Sequence, residues 1–193
     1  MLRRLYDWTM GLSAHRYALP ALAAISFIEA SVFPIPPDAL LLPMILAAPH
    51  RAWLIAGVCT IASVLGGLFG YGIGFLAFEE LGRPLLDFYG YGEKFQSFQE
   101  SYNEWGAWIV AGAGFTPFPF KVITIASGVT GLDMTVFVIA SVLSRGARFF
   151  LVAGLLWYFG PRIRTFIENN LGILATAFFV LLFGGFVLVR YLL

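Results

Sequence analysis

Five charged residues stand inside the long apolar segments of the chain: Glu29, Asp38, Lys121, Arg145 and Arg148. An ionised side chain at the centre of a hydrocarbon layer costs about 2.5 to 3.5 kcal/mol on insertion scales. Residues of this kind therefore face a partner or a wet cavity, and they mark paths for protons, ions or polar headgroups. Carboxyls in such a place can load and release protons, because desolvation favours their neutral form. Arginines suit bidentate contact with phosphate. Arg145 and Arg148 are three residues apart and share one helix face, flanked by Ser141 and Ser144. They lie about 16 Å into their segment, where even a long side chain struggles to reach the interface. For Lys121 alone, snorkelling from a segment end is the competing reading.

These residues must be held by membrane-embedded elements. The 193 residues are 60% hydrophobic, 17% aromatic and 12% charged, whereas soluble domains are roughly 25% charged. Apolar segments cover 17–49, 52–78, 105–132, 134–161 and 171–189, several of them reaching the roughly 20 residues of a spanning helix. We therefore read one all-α, multi-pass membrane domain. The start, "MLRRLYDWTMGLSAHR", has no short apolar core with a cleavage site, and residues 1–15 are expected to form an interfacial helix. The lone Cys59 excludes an intramolecular disulfide and a thiol-rich metal site. His15 and His50 are isolated and mark membrane boundaries, so neither a metal nor a cofactor is expected. With a net charge of +1 and no basic, aromatic-studded patch, no nucleic-acid partner is expected. No nucleophile stands with a base, so the chain is not expected to be an enzyme.

The sequence repeats itself. Pro34 and Pro36 followed by Asp38 recur as Pro117 and Pro119 followed by Lys121, and "IASVL" occurs at 61–65 and again at 139–143. In that second register Gly67 and Gly70 become Arg145 and Arg148, so one half has carboxylates where the other has cations. Paired, broken apolar segments in two halves point to a transport-type site at the repeat interface. The limbs 17–33 and 36–48 would be about 25 and 20 Å long as helices, together too long for one crossing and too short for two. A re-entrant hairpin satisfies both lengths, with proline tips tolerated where they line protein or water. The repeat extends this to 105–132, which on its own could equally be one kinked spanning helix. The expected order is a first repeat over 16–78, an interfacial linker over 79–104, an inverted second repeat over 105–160, and a C-terminal transmembrane helix over 171–190. Lys and Arg are more numerous on the N-terminal side, which places it in the cytoplasm. Gly66, Gly70 and Gly74 recur every four residues, a spacing for close helix packing. Phe95, Phe98, Tyr102 and Trp105 follow helical spacing in the linker.

"EASVFPIPPD", "GFTPFPFK" and "SRGARF" together resemble the DedA membrane proteins, also described as the VTT or SNARE-associated superfamily, and most closely the shorter YqaA-like bacterial branch. The resemblance covers about residues 16 to 160. The second motif departs from the commoner pattern of arginines on both sides of the proline, since Lys121 is the cation beside it here. The resemblance implies two re-entrant hairpins meeting near the bilayer midplane in a bacterial inner membrane. It also implies lipid transport or scrambling dependent on the proton motive force, with undecaprenyl phosphate or phosphatidylethanolamine as substrate. Glu29 and Asp38 carry over as acidic, proton-carrying positions, and Arg145 and Arg148 as basic ones. Lys121 joins these two in holding a phosphate. Expected partners are membrane lipids and protons, and association into a homo-oligomer stays open. A proton-coupled small-cation antiporter and a non-transporting membrane-integrity scaffold are the alternatives.

Overall fold

The structure, a computed structural model, describes residues 17–33, 36–116 and 118–160, and these are all-helical. The expected interfacial helix at 1–15, the expected membrane helix at 171–190, and the tip prolines Pro34 and Pro117 lie outside the described residues.

Prolines set the first boundaries. Helix α1 (Ala18–Ser31) stops short of them, because proline lacks an N–H and disfavours helical backbone in the residue before it. Helix α2 (Asp38–Ala47) opens behind Pro37, whose φ of −65° is already helical. Asp38 falls in its first turn, where the positive end of the helix dipole favours a carboxylate. A 3-10 turn, Pro49–Arg51, leads into α3 (Ala52–Ala77), which continues through a wide π-helical turn, Phe78–Gly82, into α4 (Arg83–Tyr89). Helices α5 (Gly92–Phe115) and α6 (Phe120–Val129) follow, then α7 (Met134–Gly160). Gly131, at φ 63°, closes α6: its N–H donates to the Gly128 carbonyl while that of Leu132 donates to Ser127, a left-handed cap that glycine adopts without steric cost. Asp133 then caps α7, its Oδ1 accepting from the backbone N–H of Thr135 at 2.9 Å and Val136 at 3.0 Å.

Length separates the helices into two kinds. The stretches Pro49–Gly82 and Met134–Gly160 are long and apolar enough to cross a membrane, by length and composition. By contrast α1 has 14 residues and α2 and α6 have 10 each, about 21 and 15 Å, short of the roughly 30 Å hydrocarbon layer. Ile61, Leu65 and Phe69 on α3, and Ile139, Leu143, Leu151 and Leu155 on α7, are exposed. That apolar surface fits contact with lipid rather than water. One boundary differs from the sequence expectation. Polarity divides the linker from the apolar segment after it at Trp105, but α5 runs unbroken from Gly92. Apolarity reports the environment of a residue, whereas helix continuity follows from backbone bonding, and nothing between Gly92 and Phe115 interrupts it.

The helices α3 and α7 lie antiparallel. Trp53 near the start of α3 meets Phe150 and Trp157 late in α7, at ring separations of 6.1 and 6.2 Å. Ser63 meets Arg145 at mid-length, and Tyr71 meets Phe137 early in α7 at 5.3 Å. The core divides accordingly. One cluster joins Leu22 of α1, Leu41 and Ile45 of α2, Ile55 of α3 and Phe149 of α7. The other joins Tyr71 of α3, Val110 of α5, Phe120 of α6, and Phe137 and Ala140 of α7. The glycine stripe of α3 makes the expected close approaches. A methyl group at Gly66 would run into the backbone of Phe27, one at Gly70 into Thr124, and one at Gly74 into the backbone of Ile125. Both short helices, α1 and α6, thus pack on α3 at backbone distance, which fixes where their ends fall.

Candidate functional site

The ends of the short helices bring the intramembrane charges together between the two clusters. Glu29 lies in the last turn of α1, Asp38 in the first turn of α2, Lys121 in the first turn of α6, and both arginines at the middle of α7.

Arg145 is 1% exposed and Glu29 8%. The Nη2 of Arg145 donates to Glu29 Oε2 at 2.6 Å, and its Nε donates to Ser63 Oγ at 2.7 Å. Its guanidinium carbon is 5.0 Å from the ring centre of Phe120 and 4.7 Å from that of Phe149, so two aromatic faces supply cation–π attraction in a desolvated setting. The cation is therefore held by one carboxylate, one hydroxyl and two rings, drawn from α1, α3, α6 and its own helix.

Arg148, one turn further along α7, is less buried. Its Nη2 donates to Asp38 Oδ2 at 2.5 Å and its Nη1 to the Thr116 carbonyl at 2.8 Å. Both side chains of the pair are partly exposed. Thr116 follows the last residue of α5, so Arg148 binds a carbonyl at the negative end of that helix while pairing with an acid at the positive end of α2, a favourable arrangement for both charges.

Lys121 is placed differently. Its Nζ donates to the Val32 carbonyl at 3.3 Å, at the C-terminal end of α1, and among the described residues it forms no ion pair. Beside it Thr124 Oγ1 donates to the Ala30 carbonyl at 2.9 Å. Of the residues singled out on sequence, Glu29, Asp38, Arg145 and Arg148 come together as two acid–arginine pairs. Lys121 tethers the end of α1, and Pro36 and Pro119 flank α2 and α6.

Sequence reasoning passes over Ser63, Thr116, Phe120 and Phe149 as partners of these charges. Each lies within a stretch notable for another reason: Ser63 in the first "IASVL", Thr116 and Phe120 in "GFTPFPFK", Phe149 in "SRGARF". Chemically the arrangement is two acid–arginine pairs, one buried and one partly exposed, whose acids come from the first half of the chain and whose cations come from the second. Protonation of either acid would free its arginine. An anion reaching either arginine would compete with its carboxylate for the same donors.

A family model described as the VTT domain matches residues 33–158. An uncharacterized protein of Haemophilus influenzae is 39% identical over 177 residues, spanning 92% of this chain and 92% of its own. An uncharacterized protein of Histophilus somni is 34% identical over 167 residues, spanning 86% of this chain and 87% of its own. No solved structure matches. With the family model covering most of the described helices, and relatives aligned along nearly their whole length, the chain belongs to the VTT-domain family, the DedA membrane proteins.

Proposed function

We propose that this protein moves a phosphate-bearing lipid between the leaflets of a bacterial inner membrane, coupled to protons, with undecaprenyl phosphate or phosphatidylethanolamine as the substrate class. The observation behind the proposal is the pairing of each first-half acid with a second-half arginine, Glu29 with Arg145 and Asp38 with Arg148. Proton and phosphate act on the same two bonds from opposite sides. Glu29 and Asp38 take the proton. Arg145 and Arg148 take the phosphate, with Lys121 beside the end of α1.

The reading includes two re-entrant hairpins, α1 with α2 and α5 with α6, related as an inverted repeat. Three features support it. Helices α1, α2 and α6 are too short to cross alone, α3 and α7 run antiparallel, and the contacts of each long helix correspond. As α3 packs on α1 and α6, so α7 meets α2 through Arg148 and Asp38 and α5 through Ser144, which lies against Gly114. Irregular backbone between short helices is tolerated in a membrane where it lines protein or water, and transport sites form where such breaks meet.

A scaffold reading draws on one observation, the near-complete burial of Glu29 with Arg145, which would staple the halves with no transport. A leaflet-resolved lipid assay in proteoliposomes separates the two. Transport requires that Glu29→Gln and Asp38→Asn each abolish movement in folded protein, while a scaffold shows no protein-dependent lipid movement at all.

A further inference from the structure

Ser141 is fully buried, yet its Oγ has no hydrogen-bond partner among the described residues. A buried hydroxyl left unpaired is uncommon and calls for a physical reason. Its neighbour Ser144 bonds back to the Ala140 carbonyl at 2.7 Å, so the polarity of this turn of α7 does not by itself leave hydroxyls idle.

The repeat supplies the reason. Ser63 and Ser141 occupy the same position in the two "IASVL" blocks, and four residues on stand Gly67 in the first copy and Arg145 in the second. Ser63 has no cation on its own helix one turn away, and it accepts from Arg145 of α7 across the α3–α7 contact. Ser141 has Arg145 one turn away on its own helix. Long helical side chains lie back over the turn that precedes them, and Ser141 stands on that turn, on the same face of α7 as Arg145. In the described arrangement the Arg145 guanidinium points instead to α3 and α1, held by Ser63 and by the Glu29 carboxylate.

We infer that Ser63 and Ser141 are alternate acceptors for the Arg145 guanidinium, Ser63 while Glu29 is ionised and Ser141 once Glu29 is neutral. Both serines are positioning residues: they touch the cation, and through it they set whether it faces α1 or lies along α7. Neutralising Glu29 removes the stronger of the two attractions that draw Arg145 across to the first half, leaving the neutral hydroxyl of Ser63 in competition with that of Ser141. Phe120 and Phe149 flank the cation in the described position. The other charged or titratable groups acting on Arg145 are Asp38 of α2, Arg148 of α7 and Cys59 of α3. Of these, Asp38 is engaged by Arg148 and Cys59 lies against Ser26 at 3.3 Å. The inference rests on the proposed transport cycle only in taking Glu29 as the group that changes charge.

The test reads the Arg145 Nε–H resonance by nitrogen-15 NMR of the full chain in micelles, assigned by its loss in Arg145→Lys. In otherwise unaltered protein at neutral pH, Ser63→Ala should shift this resonance and Ser141→Ala should not. In the Glu29→Gln protein the sensitivities should exchange, with Ser141→Ala shifting it and Ser63→Ala no longer doing so, and Ser141→Thr should retain the Ser141 behaviour. An Arg145 resonance indifferent to Ser141→Ala in the Glu29→Gln protein overturns the inference, as does one that stays sensitive to Ser63→Ala there. Should Glu29→Gln fail to fold, acid titration of protein with Glu29 in place supplies the same comparison, and the same two results at low pH overturn the inference. No lipid movement enters the readout. An exchange of sensitivities without lipid transport sinks the proposed function alone, and transport without the exchange sinks this inference alone.

Discussion

Glu29 and Arg145 stand 116 residues apart in the chain and 2.6 Å apart in space. Their contact joins the end of a short helix in the first half to the middle of a long helix in the second, and it lies almost wholly out of water. A buried pair of this kind is a junction more than a source of stability, since the desolvation of two ions offsets most of their attraction.

The first prediction follows from that asymmetry. Arg145→Met alone leaves Glu29 without its counter-charge and should cost about 3 to 5 kcal/mol of stability. The double variant Glu29→Leu with Arg145→Met should recover most of the loss, because two apolar side chains of similar volume replace two desolvated ions. Denaturant or thermal unfolding in a mild detergent measures both. A double variant as unstable as the single one would mean that the pair contributes packing that apolar residues cannot replace.

Arg148 allows a sharper discrimination between charge and shape. It uses two separate nitrogens, one for Asp38 and one for the Thr116 carbonyl, which a single ammonium cannot reproduce at both distances. Arg148→Lys should therefore weaken binding of a phosphate headgroup about tenfold or more while the fold survives, since the pair is partly exposed and an exposed pair is worth only about 1 kcal/mol or less. Titration with a short-chain phospholipid, comparing Arg148→Lys with unaltered protein, reads the effect. Equal affinity in the two would show that the fork is not used.

Much of this site can be read in the sequence, and the limits of that reading have a physical cause. Intramembrane charge is costly and therefore rare, so Glu29, Asp38, Lys121, Arg145 and Arg148 stand out against an apolar background. The Gly66, Gly70 and Gly74 stripe is legible for a similar reason: only close backbone approach gives a helix-destabilising residue a use at every fourth position. Which acid meets which arginine is not legible, because it depends on how far α1 slides along α3, a quantity set by the contact of Gly66 with Phe27. The roles of Ser63, Phe120 and Phe149 stay hidden because a serine or phenylalanine in a membrane helix is ordinary, and only the approach of Arg145 from another helix makes them partners. The start of α5 is hidden by its polar first half, which reads as a linker although the backbone is continuous from Gly92.

Glycine substitutions along α3 test the packing that sets this slide. Gly66→Ala and Gly74→Ala drive a methyl group into the backbone of Phe27 and Ile125, which has no side chain to move aside. Each should destabilise by about 1 to 3 kcal/mol and loosen the grip of α1 or α6. Gly57 and Gly72, on the same helix, have nothing within 4 Å of an added methyl, so Gly57→Ala and Gly72→Ala should be neutral or stabilise by up to about 1 kcal/mol through helix propensity. Thermal unfolding of the four variants in parallel checks the contrast, and a loss at Gly72 equal to that at Gly74 would sink it.

The last prediction concerns topology, on which the shared site depends. Cys59 is the sole native thiol and is buried against Ser26, so Cys59→Ser provides a silent background. Single cysteines then go to Arg16 and His50, on either side of α1 and α2, and to Glu104, midway along α5 where its polar half ends, and Met134, which follows α6. Met134 is chosen over its neighbour because Asp133 caps α7 through two backbone N–H groups, and removing that cap costs about 1 kcal/mol. In intact cells and in inverted vesicles, a membrane-impermeant maleimide should reach Arg16→Cys and His50→Cys from one face, and Glu104→Cys and Met134→Cys from the other. That result requires α1 with α2, and the apolar half of α5 with α6, each to enter and leave by the same face, which brings α2 and α6 toward the middle of the membrane from opposite directions. A flanking pair that labels from opposite faces would make the segment between its members a full crossing. The proposed inverted repeat, with Asp38 and Lys121 as counterparts, would then fail, and the contact of Glu29 with Arg145 would join two ordinary spanning elements rather than the two sides of the proposed transport site.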